Sequence, residues 1–83
     1  MYIYKTHGTC SREIHLEIDA DGIIKEVTFV GGCRGNTQGV ASLCVGRNAH
    51  DVQKLLRGIP CQGATSCPDQ LSKAIEQYYS QNK

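Results

Sequence analysis

The 83 residues suffice for one domain, which we place at residues 1–83, but a chain of this size buries only about 60 to 65% of its unfolded surface. Nine lysines and arginines against eight aspartates and glutamates leave a net charge of +1, which argues against a nucleic-acid partner. No segment has the length and apolarity of a membrane span, and residues 1–7 lack the apolar run of a secretory signal, so we expect a cytoplasmic protein without a membrane partner.

The first part of the chain predicts an antiparallel sheet. Residues 2–5 are expected to form a short edge strand. Residues 12–19 alternate strictly, with Ile14, Leu16 and Ile18 on one side and His15 among acidic neighbours on the other, which is typical of a strand with one solvent-facing side. Turn-forming residues at 19–22 lead into a second strand at residues 23–30, so the two strands form a β-hairpin.

Three helices are predicted after the hairpin. Asn36 or Thr37 can cap the first, which Gly46 ends, and Asn48 can cap the second at residues 49–57, which Gly58 ends. Apolar residues at helical spacing are Val40, Leu43 and Cys44 in the first helix, Val52, Leu55, Leu56 and Ile59 in the second, and Leu71, Ala74, Ile75, Tyr78 and Tyr79 in the third. A hairpin followed by helices predicts an α+β fold, a small antiparallel β-sheet with about three helices packed on one face.

The last helix starts with a thiol, that of Cys67. Thr65 or Ser66 can act as its N-cap, Pro68 suits its first turn, and Asp69 is an acid near the positive end of the helix dipole. A helix N-terminus favours the thiolate, the form of cysteine that binds metals and attacks electrophiles. Cys67 is therefore predicted to be the most reactive thiol, although no residue is assigned a catalytic role.

The five cysteines are a high density for this length. Their odd number and the expected reducing compartment argue against a disulfide framework, which leaves metal ligation or thiol chemistry. Cys10, Cys33, Cys61 and Cys67 each follow or precede an element in a segment rich in glycine, proline, serine or threonine, so we predict that these four share one metal site. Thiolate ligation suits both zinc and an iron-sulfur cluster, and the cysteine spacing does not choose between them. Cys44 lies on an apolar helix face and is expected to pack in the core.

Other residues are expected around this site. His7 lies three residues before Cys10 and is a candidate additional ligand, with a solvated side chain as the alternative. The glycines of Gly31-Gly32-Cys33-Arg34-Gly35-Asn36 allow backbone geometries that other residues avoid and expose N–H groups around Cys33. The residues predicted to form the loops that shape the site are Gly31, Gly32, Gly35, Asn36, Thr65, Ser66, Pro68 and Asp69.

The run Thr65-Ser66-Cys67-Pro68-Asp69 matches the signature of the TSCPD domain, and the chain resembles a free-standing member of that family. Three further fragments match the family pattern, namely Gly8-Thr9-Cys10-Ser11, Gly31-Gly32-Cys33-Arg34-Gly35-Asn36 and Gly58-Ile59-Pro60-Cys61. This family resembles the C-terminal domain of cobalamin-dependent (class II) ribonucleotide reductases. The resemblance implies a link to ribonucleoside-diphosphate reductase and DNA precursor synthesis, with a larger reductase as partner and no catalysis by this chain alone.

The order of elements is also partly similar to that of U-type iron-sulfur scaffold proteins, which place one cysteine after a strand and another at the start of the last helix. Those scaffolds carry an acid two residues after the first of these cysteines, where this chain has Gly35. Three functions are therefore considered: an accessory module for ribonucleotide reduction, a zinc or iron-sulfur carrier for a metal-receiving enzyme, and a small thiol oxidoreductase that uses Cys61 and Cys67.

Overall fold

The computed structural model describes residues 2–8, 11–31, 34–59 and 67–81, with the backbone alone at residues 34–36. Within these residues the elements are β1 (Tyr2–Lys5), β2 (Ser11–Ile18), β3 (Ile24–Gly31), α1 (Arg34–Cys44), α2 (Ala49–Leu56) and α3 (Cys67–Gln81). The strands form one sheet in the order β1-β2-β3, and both pairings are antiparallel. The predicted α+β fold is thereby confirmed.

Strand β2 is the centre of the sheet, and its alternating pattern separates two faces. Ile14 and Leu16 are completely buried, and Ile18 is nearly so. His15 lies on the other face, where its Nε2 is 3.0 Å from Oε1 of Glu13. The period of two therefore gives β2 one core side and one solvent side, as predicted.

The hairpin turn is held by one carboxylate. Oδ1 of Asp19 accepts hydrogen bonds from the backbone N–H groups of Asp21 and Ile23, at 2.9 and 3.0 Å. These bonds, led by that from Ile23, lower the pKa of Asp19 below its ordinary value, against a smaller opposing effect of burial. Across the hairpin Leu16 pairs with Val27 on the core side of the sheet, so the turn sets a register that buries both strands' apolar residues.

Helix α1 begins earlier than predicted, at Arg34. The expected cap at Asn36 or Thr37 is therefore wrong, and Gly35 and Asn36 belong to the first turn of the helix instead of a loop. Glycine in a helix costs about 1 kcal/mol relative to alanine, which is why the sequence favoured a loop there. Packing of α1 on β3, with Thr37 buried, outweighs that cost. Gly46, with φ of +87°, follows the helix as predicted.

Helix α2 begins where the sequence predicted. Oδ1 of Asn48 accepts hydrogen bonds from the N–H groups of His50 and Asp51, at 2.9 and 3.2 Å. A side-chain N-cap of this kind contributes about 1 kcal/mol to stability. Ala49 and Val52 below it are buried against α3, so the cap also fixes the helix that covers one side of the core.

Three apolar residues assigned to buried helix faces are exposed, which corrects the prediction. Leu43 is 67% exposed, Leu55 69% and Ile59 40%. The buried stripe of α1 runs instead through Thr37 and Cys44, with Leu43 beside it. Helical spacing identifies an apolar side, but a small domain covers only a narrow part of each helix, so residues at the margin of the stripe stay in contact with water.

Helix α3 supplies the largest part of the helical core. Leu71, Ala74 and Ile75 are completely buried, as predicted. Further along, the ring of Tyr78 meets that of Tyr2 edge-on at 5.7 Å, and the ring of Tyr79 stacks on His50 at 4.4 Å. The aromatic residues thus join α3 to the edge strand on one side and to α2 on the other.

Among the described residues, no helix combines the length and the apolarity that crossing a bilayer requires.

Candidate thiol site

Cys67 is the first residue of α3, and its sulfur faces the start of β2. Its Sγ lies 3.3 Å from Oγ of Ser11, which is 3% exposed. Ser11 in turn pairs across the sheet with Gly31, the last residue of β3. The start of β2, the end of β3 and the start of α3 therefore meet at one edge of the molecule.

Gly31 has the backbone geometry that the sequence predicted for this segment. Its φ is +82°, in the left-handed region that side chains disfavour. A Cβ atom at this position would lie 3.4 Å from Nε of Arg12, an ordinary contact distance. The backbone angle, and not a lack of space, therefore favours glycine where β3 ends beside Ser11.

Two buried polar side chains follow Cys67 in the first turn of α3. Asp69 is 4% exposed, and its Oδ1 accepts a hydrogen bond of 2.7 Å from the N–H of Gly58. Its Oδ2 lies 3.7 Å from Nζ of Lys73, one helical turn away. Gln70 is 2% exposed, and its Oε1 accepts a hydrogen bond of 2.9 Å from the N–H of His7.

Sequence reasoning missed these two contacts. The sequence predicts for Asp69 a charge at the helix start and a place in the loop that shapes the site, whereas Asp69 lies inside α3 and bonds a residue from another segment. Gln70 was not singled out, although it lies four residues before Ala74 and therefore on the buried side of the helix. That spacing is the signal that could have identified it, because a buried amide requires a partner.

The two cysteines within the described residues have different surroundings. Cys67 is partly exposed, whereas Cys44 is 5% exposed and belongs to the core, as predicted. Burial raises the pKa of the Cys44 thiol, and the nearby Arg47 offsets this in part. Cys44 is thus an inert core residue, while Cys67 is accessible.

The other predicted ligands, Cys10, Cys33 and Cys61, lie outside the described residues, as do Gly32, Thr65 and Ser66. The shared site thus stays a prediction. Within the described ranges, no group of three or more potential metal-ligating side chains is found. The His7 side chain is exposed and its backbone is bound to Gln70, so its place near α3 is described but ligation is not tested.

The described part of the site nevertheless fits a thiolate ligand. The hydroxyl of Ser11 can donate a hydrogen bond to the Cys67 sulfur, and Cys67 lies at the start of α3, the positive end of a helix dipole. Cys10 directly precedes Ser11 in the chain, and Cys33 follows Gly31 by two residues. Ser11, the chain neighbour of Cys10, therefore lies beside Cys67, and Gly31, two residues before Cys33, pairs with Ser11.

The family model of the TSCPD domain matches residues 2–79, from the first strand to Tyr79 in α3. No curated protein and no solved structure gives a significant match to the chain.

Proposed function

The chain belongs to the TSCPD domain family, and on that basis we propose that it is a small accessory module that binds a metal through cysteine thiolates. The proposed ligands are Cys10, Cys33, Cys61 and Cys67, and the proposed group is zinc or an iron-sulfur cluster. The link to ribonucleoside-diphosphate reductase comes from the family resemblance, since a similar domain ends the cobalamin-dependent reductases. The proposed partner is therefore a larger reductase.

One observation carries the metal-binding proposal: the Cys67 sulfur lies 3.3 Å from a residue whose chain neighbour is another cysteine. Consecutive Cα atoms are about 3.8 Å apart, so the position of Ser11 restricts where Cys10 can be. Gly31, paired with Ser11, restricts Cys33 in the same way, two residues further along the chain. The start of β2, the end of β3 and the start of α3 meet at one edge of the molecule. In the sequence Cys10 and Cys33 adjoin the first two of these ends, and Cys67 begins α3, which supports a metal site.

The residues around Cys67 have defined roles in this proposal. Cys67 supplies a thiolate, the helix dipole stabilises its negative charge, and the Ser11 hydroxyl orients the sulfur by hydrogen bonding. A bound metal would supply either a cross-link between sheet and helix or a one-electron carrier. In both cases the buried Ser11 excludes water from one side of the sulfur.

We expect anaerobically purified protein to contain about one metal centre per chain, because four thiolates complete one tetrahedral site. Elemental analysis and the visible spectrum distinguish colourless zinc from an absorbing iron-thiolate centre. Cys67→Ser should lose most of the metal, whereas Cys44→Ala, the matched control in the core, should retain it. Wild-type protein without metal would contradict the proposal and favour thiol redox chemistry with Cys61 and Cys67. Equal metal contents in the two variants would exclude Cys67 as a ligand.

We also expect no ribonucleotide reduction by the chain alone. That reaction needs a radical-generating cofactor and a nucleotide pocket, which are built on much larger scaffolds than 83 residues. The measurement is deoxynucleotide formation under anaerobic conditions with metal-loaded protein, nucleotide, reductant and cobalamin. A complete cobalamin-dependent reductase serves as the positive control, and catalytic turnover by the small chain without it would refute the accessory role.

A further inference from the structure

We infer that Asp69 and Gln70 are positioning residues of the thiol site, each holding by one hydrogen bond a backbone segment that leads to a cysteine. Neither residue is a proposed ligand. The inference rests on the proposed function, because the segments they hold are those that carry Cys61 and Cys10. The first turn of α3 would then have two roles, namely presenting Cys67 and anchoring the segments that lead to Cys61 and Cys10.

Asp69 holds the segment that precedes Cys61. Its buried Oδ1 accepts a hydrogen bond of 2.7 Å from the N–H of Gly58, which lies three residues before that cysteine. Gly58 follows α2 and has φ of +78°, so the chain turns at the point where the carboxylate receives it. Hydrogen bonds to a carboxylate are among the stronger ones in proteins, and Lys73 at 3.7 Å offsets the buried charge. This contact joins the end of α2 to the start of α3.

Gln70 holds the segment that precedes Cys10. Its buried Oε1 accepts a hydrogen bond of 2.9 Å from the N–H of His7, 63 positions away in the chain. His7, like Gly58, lies three residues before its cysteine. On the far side of that cysteine, Ser11 contacts the sulfur of Cys67. His7 and Ser11, the described residues on either side of residues 8–10, are therefore both bonded to the first turn of α3.

These contacts fix the two points, Gly58 and His7, from which the chain runs on to Cys61 and Cys10. Three residues of extended chain span at most about 11 Å, so anchoring Gly58 and His7 limits the positions open to the two sulfurs. Without the anchors, metal binding would have to order both segments at an entropic cost. Loss of a side chain that orients metal ligands typically weakens metal affinity by about 10- to 100-fold.

The test compares zinc affinity in four variants by competition with a chromophoric chelator. Asp69→Ala and Gln70→Met remove the acceptors, and each should weaken zinc binding by about 10- to 100-fold. Asp69→Asn keeps an oxygen acceptor and should restore most of the affinity. Gln77→Met makes the same chemical change on an exposed position of α3 and should stay within about twofold of wild type.

Amide hydrogen exchange of the metal-free protein gives a second readout. In Asp69→Ala, exchange should accelerate at the Gly58 amide but not at that of His7. In Gln70→Met, it should accelerate at the His7 amide but not at that of Gly58. A purely structural role would accelerate exchange throughout the core and leave zinc affinity unchanged once the protein is folded. Wild-type zinc affinity in both acceptor-free variants would overturn the inference while the proposed function stands. Failure of wild-type protein to bind zinc or iron would overturn the proposed function. Unchanged exchange at Gly58 in Asp69→Ala and at His7 in Gln70→Met would overturn the anchoring, whether or not the protein binds metal.

Discussion

Leu71→Ala is expected to lower the free energy of unfolding by about 3 kcal/mol, within the range of about 2 to 5 kcal/mol measured for such changes. Leu71 is completely buried at the start of α3, and its removal leaves a cavity between that helix and the sheet. A domain of this length is typically stable by about 4 to 12 kcal/mol, so one side chain accounts for a large share. Urea denaturation followed by circular dichroism measures the loss.

The chain offers a matched control for this substitution. Leu55→Ala makes the same change in a helix, at a residue that is 69% exposed, and should alter stability by less than about 0.5 kcal/mol. Both variants are compared with wild type in saturating zinc and again with chelator. Similar losses in the two variants would contradict the assignment of Leu71 to the core and of Leu55 to the surface.

Cys67 is expected to react with iodoacetamide at least about tenfold faster than Cys44 in reduced, metal-free protein near neutral pH. Cys44 is 5% exposed, and burial raises its pKa, so little of it is thiolate under these conditions. Cys67 is partly exposed at the first residue of α3, so the reagent can reach its sulfur. Mass spectrometry of peptides after timed quenching assigns the rate to each cysteine.

The pH dependence provides a further check on this difference. Because the Cys44 pKa lies above the ordinary value for cysteine, its labelling should keep rising at pH values where an exposed thiol already reacts fully. Because three further cysteines are present, the rates are read from the separate Cys44 and Cys67 peptides, and Cys67→Ser and Cys44→Ala confirm which peptide carries which rate. Faster modification of Cys44 than of Cys67 in wild-type protein would refute both the core assignment and the reactivity assignment.

The sequence predicted the fold well where local patterns and tertiary structure agree. The alternation in β2 and the Asn48 cap each depend on neighbouring residues, and both are confirmed. The start of α1 was missed because Gly35 disfavours a helix locally while packing on β3 favours one. The exposed Leu43 and Leu55 were missed because helical periodicity identifies an apolar side but not the width that its neighbours cover.

The candidate site was less predictable, since its contacts join distant parts of the chain. Signals within the last helix placed Cys67 at its start, and this is confirmed. The contacts of Asp69 with Gly58 and of Gln70 with His7 leave no local pattern, because their partners are backbone N–H groups 11 and 63 positions away. Residue type indicates that a buried carboxylate or amide needs a partner, but topology alone decides which one.

The aromatic contacts of α3 make the protein its own spectroscopic reporter. The sequence has no tryptophan and four tyrosines, and Tyr2 and Tyr4 lie in β1 while Tyr78 and Tyr79 lie in α3. Tyr78 is 5.7 Å from Tyr2 and 5.2 Å from Tyr79, ring centre to ring centre. The near-ultraviolet circular dichroism of the native chain therefore arises largely where α3 meets the edge strand. Any event that shifts this helix against the sheet, including the metal uptake proposed at its other end, can be followed there without an added label.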